Sequence, residues 1–316
     1  MRAMNTTAPV LSAPGRLPGG VLLTLAMITV GSTVVASRII AAGLPPFTAA
    51  ALRFAIALPI FLALMRSRGQ RLPRPGRHDA SLIVLQALCG SVGYAVLLVA
   101  GLRWTSAASA GVITGCLPAV GALVGALVLR ERLGARLVGA IALASAGVAA
   151  VVVAPGRADA GAHASTLGNA LVLGAVACEA VFLLLNKRLR VPLAPLAQST
   201  LMSALGLALT AGPALAEHAW TAPVDAAALL GVLYYALVPT VGGYLLWYAG
   251  AERVDAGRAA LYTAVLPVSA LLLAALVLRE PIGARQLAGA ACVLAAIAVS
   301  AAPRRRGVRP LNGSSA

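Results

Sequence analysis

Long apolar stretches separated by short polar segments run along the whole chain. Each stretch has about 20 residues, which as an α-helix crosses the hydrocarbon core of a bilayer. The stretches are rich in Leu, Ala, Val and Gly and do not alternate apolar with polar positions, so they predict helices rather than the strands of a barrel. The pattern predicts ten spans, at residues 19–42, 46–65, 79–101, 105–128, 134–153, 165–186, 195–216, 225–248, 257–278 and 284–302.

One sequence element occurs twice. Residues 126–136 read ALVLRERLGAR and residues 275–285 read ALVLREPIGAR, so nine of eleven positions match at a shift of 149 residues. This shift covers five predicted spans, and an odd number of spans turns the second copy upside down in the membrane. We therefore expect an all-α integral membrane protein whose ten helices form two inverted five-helix repeats around a central cavity. This organisation is typical of transporters that open one site to alternate sides.

Each copy of the element follows a proline inside an apolar run. Pro118 and Pro267 lie thirteen residues before the glutamates of the two copies, and Thr114 and Thr263 lie four residues before the prolines. Proline cannot donate to the carbonyl four residues earlier, and an unpaired carbonyl in hydrocarbon needs another partner. The prolines are either hinges beside a water-lined site or kinks that serve helix packing.

Composition supports the membrane class. The chain is 60% hydrophobic and 11% charged, with a mean hydropathy of +0.92. So few charges do not cover the surface of a soluble protein of 316 residues. The net charge of +16 does not indicate nucleic-acid binding, because 19 of the 25 Lys and Arg residues fall in alternate connecting segments and only four in the others. This bias predicts that both termini are cytosolic.

These boundaries divide the chain into five parts. We expect a disordered cytosolic tail at 1–18, a first repeat at 19–153, an external linker at 154–164, a second repeat at 165–302 and a basic cytosolic tail at 303–316. The four cysteines all fall in predicted spans without CxxC spacing, which favours apolar packing over disulfide or metal chemistry.

The chain resembles the drug/metabolite transporter superfamily, and within it the EamA-like ten-helix exporters. The matching residues are Gly31-Ser32, Pro45-Pro46, Arg53, Gly101-Leu102-Arg103, Thr105-Ser106-Ala107-Ala108, Pro118, Arg130-Glu131-Arg132-Leu133-Gly134, Pro267, Glu280 and Gly283. The resemblance covers residues 19–302 and is nearest to aromatic amino acid exporters. It implies a cavity among spans 1, 3, 4, 6, 8 and 9. The sixth span departs from the family pattern, because Cys178-Glu179 stands where Trp or Ser is common.

Aromatic residues are scarce, so their positions inside spans are informative. Tyr94, Tyr244 and Tyr262 lie within predicted spans, and Tyr94 and Tyr244 each follow a glycine at near-equivalent points of spans 3 and 8. A phenol offers an apolar face and one polar group, which suits an amphipathic solute. We predict these three residues as substrate-binding; the alternative is an interfacial belt of aromatic residues.

Two charged residues inside spans are further candidates. Glu179 would bind a substrate amine or carry a coupling proton, or else pair with Lys187 or Arg188 at the end of its span. Arg53 would hold a substrate carboxylate, or else close an outer gate or extend to the interface. Ser32, Gln86, Thr114 and Thr263 complete the predicted substrate-binding set, and Arg53, Pro118 and Pro267 are predicted as gate or hinge residues.

No catalytic constellation, Walker loop or metal-ligand spacing is visible, so we expect no enzyme activity and no cofactor. The sequence favours a secondary transporter of the inner (plasma) membrane that exports small metabolites, most simply amino acids, by alternating access. A drug or other metabolite exporter is the main alternative, ahead of a membrane-embedded enzyme or a sensor. The expected partners are a small-molecule substrate and the lipid bilayer, with no nucleic acid, and the arrangement is compatible with a monomer.

Overall fold

The chain folds into helices joined by short connections. The computed structural model describes residues 17–129, 135–152, 162–221, 223, 225–254 and 262–301, and no strand occurs in these ranges. In chain order the main helices are α1 Gly19–Gly43, α2 Pro46–Ser67, α3 Arg77–Leu102, α4 Ala107–Gly115 with Leu117–Leu129, α5 Ala135–Val152, α6 Ala162–Asn186, α7 Pro195–Ala216, α8 Ala226–Ala251, α9 Val265–Leu278 and α10 Ala284–Ala301.

Six of these helices, α1, α2, α3, α6, α7 and α8, are long and apolar enough to cross a membrane. The two parts of α4 form a seventh candidate, bent by 44° at Cys116. Three more apolar helices, α5, α9 and α10, are shorter in the described residues. The all-helical, multi-span membrane architecture predicted from the sequence is therefore confirmed, while membrane crossing by the three short helices stays a prediction.

The repeat extends to the helix boundaries. Both ends of α2 and α3 shift by 149 residues to give the ends of α7 and α8. Even the irregular stretches match, because α3 widens into a π-helix at Ala87–Gly93 and α8 does so at Ala236–Gly242. In α8, Pro239 has no N–H for the carbonyl of Tyr235, and the Thr240 hydroxyl donates to that carbonyl instead, at 2.8 Å.

Two pairs of equivalent helices, α2 with α7 and α5 with α10, pack against each other in opposite directions. Glu217, just after the end of α7, accepts hydrogen bonds from the Phe47 and Thr48 amides in the first turn of α2, at 3.1 and 2.7 Å. These amides have no partner within their own helix, and a carboxylate there also suits the helix dipole. Gly147 near the end of α5 meets Gly289 near the start of α10, where an added Cβ on either would lie 2.8 Å from the other's carbonyl oxygen.

The two proline regions lie together in the core. The bend in α4 falls between Thr114 and Pro118, and a Cβ on Gly115 at this bend would lie 2.7 Å from the Pro267 side chain. Thr114 is buried, and its hydroxyl donates to the Gly111 carbonyl at 3.0 Å. The hydroxyl thus has a partner within its own helix, next to the point where the helix is interrupted.

Candidate functional site

A cavity of about 310 Å³ lies between five helices, α2, α3, α6, α7 and α8. Its volume is at the lower end of the range for small-molecule sites, which is about 300–1,000 Å³. The lining residues, in helix order, are Arg53, Phe54, Phe61, Gly90, Ser91, Glu179, Phe182, Leu183, Asn186, Gln198, Ser199, Met202, Ser203, Thr240, Tyr244 and Tyr248. We refer to it as the large cavity.

The large cavity reaches one end of the helix bundle. Asn186, the last residue of α6, lines it and is exposed, and its side-chain oxygen accepts a hydrogen bond from the Gln198 amide in the first turn of α7 at 3.0 Å. The connections 68–76 and 187–194 lie at this end. We call it the open end, because the cavity is lined here by the exposed residues Leu183 and Asn186.

Hydrogen bonds between the two halves close the opposite end. The Glu280 carboxylate, in the second half, accepts from the Ala107 and Ala108 amides at the start of α4 at 3.0 and 2.9 Å. The Glu217 contact between α7 and α2 lies at the same end. Within the first half, the Arg103 guanidinium also donates to the Leu44 carbonyl there at 3.0 Å. Glu280 is thus a helix cap, and its repeat partner Glu131 lies outside the described residues.

Two opposite charges line the large cavity. Arg53 is only 8% exposed, and the carbon of its guanidinium lies 4.3 Å from the Phe54 ring centre and 4.7 Å from that of Tyr235. Its Nε has no hydrogen-bond partner. Glu179 on α6 is half-buried, and no ion pair within 4.0 Å joins it to Arg53 in the described part of the chain. Both groups therefore keep capacity for a charged ligand, and unpaired charges inside a membrane protein commonly mark a functional site.

Aromatic rings form the wall near the open end. The rings of Phe61 and Tyr244 meet edge to face with centres 5.4 Å apart, and Tyr248 lies 4.7 Å from Tyr244. The chain has only four phenylalanines, and three of them, including Phe54 and Phe182, line this cavity. Such a wall provides a large apolar contact area with few rotatable bonds.

Of the residues predicted from the sequence, the structure brings Arg53, Glu179 and Tyr244 together in the large cavity. Tyr94 packs against the main apolar core instead. Tyr262 lies against the start of α1, since a Cβ on Gly20 would lie 2.3 Å from its hydroxyl. Neither is among the residues that line the cavity.

The polar candidates lie elsewhere. Ser32 is buried between α1 and α8, where it donates to the Thr29 carbonyl at 2.6 Å and accepts from the Tyr234 hydroxyl at 2.8 Å. Gln86 is fully buried, and neither polar atom of its side chain has a hydrogen-bond partner. The structure brings neither residue to the wall of the large cavity.

The threonines and prolines of the repeated element also lie outside the large cavity. Pro118 borders a separate apolar cavity of about 10 Å³, and Pro267 is buried against Gly115. Thr114 is buried in α4, and Thr263 lies half-buried in the turn before α9. These four residues therefore lie near helix breaks and do not line the large cavity.

Sequence reasoning passed over several lining residues. Phe54 and Phe61 are seven residues apart in α2, a spacing that places them on one face, and both follow Arg53, at one and eight residues. Gln198, Ser199 and Ser203 recur at helical spacing near the start of α7. These two spacings were the available signals for the contribution of spans 2 and 7.

The cavity also draws on different helices than the family resemblance implies. Spans 3, 6 and 8 contribute as expected, but spans 2 and 7 replace spans 1, 4 and 9. Spans 1, 4 and 9 do not line the cavity because they pack closely against one another. A Cβ on Gly31 of α1 would lie 2.0 Å from the Ser269 hydroxyl of α9, and one on Gly111 of α4 would lie 2.8 Å from Ala270. Spans 1, 4 and 9 are therefore closely packed at these two contacts.

The groups that line the large cavity make it a candidate binding site. Its wall offers one cation, one carboxylate, several hydroxyl and amide groups and a set of aromatic rings. Within the ranges that the structure covers, no group of three or more His, Cys, Asp or Glu side chains is placed to hold a metal ion. The arrangement fits a small solute that carries both charges and an apolar part.

Known proteins resemble the chain along most of its length. An uncharacterized transporter of Bacillus subtilis, YetK, is 33% identical over 290 residues, which cover 90% of this chain and 87% of that protein. A probable terminal-alkyne amino-acid exporter of Streptantibioticus cattleyicolor is 29% identical, with 71% and 74% covered. A probable amino-acid metabolite efflux pump of Salmonella typhimurium is 29% identical, with 56% and 61% covered.

A solved structure shares the fold of this chain, and a family profile matches each of its two repeats. One crystal structure aligns with a TM-score of 0.60 over 89% of this chain and 96% of that chain, at 21% sequence identity, which shows a shared fold. The profile of the EamA-like transporter family matches twice, at residues 17–153 and 166–302. With one family domain in each half and a multi-span helical structure around a charged cavity, the chain belongs to the EamA-like transporter family, within the drug/metabolite transporter superfamily.

Proposed function

We propose that this protein is a secondary carrier that exports amino acids, including aromatic and hydrophobic ones, by alternating access. Family membership indicates a transporter rather than an enzyme. The observation that carries the substrate proposal is that Arg53 and Glu179 line one cavity without pairing directly with each other. A zwitterion would place its carboxylate on the Arg53 guanidinium and its ammonium group on Glu179. Two relatives named for amino-acid export support the same substrate class.

The apolar part of the substrate would lie on the aromatic wall. Phe61, Tyr244 and Tyr248 form a continuous group of rings on the open side of Arg53. An amino acid held by its two charged groups would direct its side chain towards these rings. The proposal therefore favours bulky side chains over small ones.

The transport cycle would use the two halves as inverted repeats of five spans each. Antiparallel packing of α2 with α7 and of α5 with α10 supports this, as do helix boundaries that coincide after a shift of 149 residues. In such a repeat each half takes the conformation of the other, which closes the open end and opens the closed one. The threonine-proline breaks at Pro118 and Pro267 would serve as hinges in this exchange.

The test is transport by purified protein in proteoliposomes, with a panel of labelled amino acids and with and without a pH gradient. We expect saturable uptake that prefers phenylalanine and leucine over glycine. A response to the gradient would identify proton coupling. Transport of a non-amino-acid drug or metabolite, with no amino acid accepted, would support the alternative exporter and reject this proposal.

Ring loss at Tyr244 should reduce affinity for bulky substrates. Tyr244→Ala removes a contact of about 1–3 kcal/mol, or about 5- to 150-fold in affinity, whereas Tyr244→Phe keeps the ring. We expect weaker phenylalanine transport in the alanine variant and little change for alanine transport. The measurement is the half-saturating concentration of each substrate. Equal losses for both substrates would indicate a packing role for Tyr244.

Membrane orientation gives a separate prediction. Because 19 of 25 cationic residues lie in alternate segments, we expect both termini and the open end to be cytosolic, in the inner (plasma) membrane. Arg71 lies in the connection at the open end and Pro223 in one at the closed end. A membrane-impermeant thiol reagent added to intact cells should label Pro223→Cys, and should label Arg71→Cys only after permeabilisation. The reverse result would invert the orientation.

A further inference from the structure

A second cavity, of about 10 Å³, lies between Arg53 and the closed end of the bundle. Besides Arg53 and Tyr235, it is lined by Ile40, Ala49, Ala50, Ala95 and Val99. We call it the small cavity. It has room for about one water molecule and its walls are mainly apolar, so in this conformation it holds no solute.

The small cavity is the repeat counterpart of the large one. Adding 149 to the positions of Ala49, Ala50, Arg53, Ala95 and Val99 gives positions 198, 199, 202, 244 and 248, all of which line the large cavity. The two remaining lining residues, Ile40 and Tyr235, correspond to Leu189 and Gln86. Both of these side chains are buried. Equivalent residues of the two halves thus line the large cavity at the open end and the small cavity at the closed end.

Arg53 separates the two chambers. It lines both cavities, and its guanidinium lies over the ring of Phe54, which lines the large cavity, and over the ring of Tyr235, which lines the small one. Tyr235 belongs to the second half and Arg53 to the first, so this cation–π contact joins the two halves across the collapsed chamber. The Nε of Arg53 has no hydrogen-bond partner, so the guanidinium keeps an unsatisfied donor in this position.

We propose that the Arg53–Tyr235 contact is the gate of the small cavity, and that a substrate carboxylate opens it by drawing the guanidinium away from the Tyr235 ring. The small cavity then widens towards the closed end and becomes the exit path. Its walls carry Ala49, Ala50, Ala95 and Val99 where the large cavity carries Gln198, Ser199, Tyr244 and Tyr248. With fewer polar and aromatic contacts, the exit chamber holds the same solute less tightly.

Tyr235 is therefore a positioning residue, which acts on the substrate through Arg53. Its replacement by leucine removes the π face, whereas Tyr235→Phe keeps the face and loses only the hydroxyl. A cation–π contact contributes about 1–2 kcal/mol, which corresponds to about a 5- to 30-fold shift in the balance of the two conformations.

The experiment measures accessibility at two repeat-equivalent positions. Ala50→Cys in the small cavity and Ser199→Cys in the large one are made in a chain whose four native cysteines are replaced by alanine. Each is labelled with a membrane-impermeant maleimide added to either face of the membrane. We expect labelling from opposite faces. Tyr235→Leu should speed labelling of Ala50→Cys by about 5- to 30-fold and slow that of Ser199→Cys, while Tyr235→Phe leaves both rates near the original.

Ligands test the carboxylate step without a change at Tyr235. Phenylalanine should speed labelling of Ala50→Cys, and phenethylamine, which lacks the carboxylate, should not. Unchanged labelling of Ala50→Cys under both the ligand and the Tyr235→Leu change, or labelling of both cysteines from one face, would overturn the proposal. The inference rests on the proposed carrier function, and transport is measured in the same proteoliposomes. A lack of transport would contradict the carrier function, whereas transport without the reciprocal change in labelling would contradict only the gate.

Discussion

Glu179→Gln should bind phenylalanine at least about 30-fold more weakly than the unaltered protein, yet bind 3-phenylpropionate at least as well. Loss of one partner from a desolvated charge pair costs about 2–5 kcal/mol, and 2 kcal/mol corresponds to about 30-fold in affinity. 3-Phenylpropionate has no ammonium group, so it loses nothing when the carboxylate is replaced by an amide of nearly the same shape. Calorimetric titration of the purified protein with the two ligands measures the difference.

Arg53→Gln provides the mirror experiment. This variant should lose affinity for phenylalanine and 3-phenylpropionate but keep its affinity for phenethylamine, which has no carboxylate. If each variant loses affinity only for ligands that carry one of the two charges, each charge of the ligand is assigned to one residue. Misfolding would instead weaken the binding of all three ligands. If both variants weaken all three ligands equally, Arg53 and Glu179 support the helices rather than hold the substrate.

Gly168→Ala should destabilise the protein by at least about 1–3 kcal/mol. Gly168 of α6 meets α3 at a crossing where an added Cβ would lie 2.8 Å from the Gly101 carbonyl oxygen, the Thr105 nitrogen and the Trp104 carbonyl carbon. All three atoms belong to the backbone and cannot rotate away, so the helices must separate. The separation would also disturb the buried hydrogen bond from the Thr105 hydroxyl to the Asn169 side chain, which measures 2.6 Å.

Gly174→Ala in the same helix is the matched control. A Cβ there would lie 3.5 Å from one Leu97 methyl carbon, an ordinary contact distance, and alanine favours a helix over glycine by up to about 1 kcal/mol. Thermal unfolding in detergent should place Gly174→Ala at or above the original midpoint and Gly168→Ala clearly below it. Equal midpoints for the two variants would contradict the close crossing of α3 and α6.

The sequence by itself determined the membrane class, the helical fold and the duplication. These follow from local features. An apolar stretch of helical length has few alternatives in lipid, and nine matches in eleven positions at a fixed shift are visible without coordinates. Arg53, Glu179 and Tyr244 could also be chosen from the sequence. Charges and scarce aromatic residues inside spans stand out because they are costly or rare there.

Only the tertiary structure decided which of the candidates meet. Tyr94, Tyr244 and Tyr262 look alike in the sequence, yet Tyr244 lines the large cavity, Tyr94 packs in the core and Tyr262 lies against Gly20. Likewise, the halves carry equivalent chambers, but one has a volume of about 310 Å³ and the other about 10 Å³. The difference depends on contacts between residues far apart in the chain, such as Arg53 with Tyr235. A sequence pattern encodes the face of a helix, whereas the partner of that face depends on how all the helices pack together.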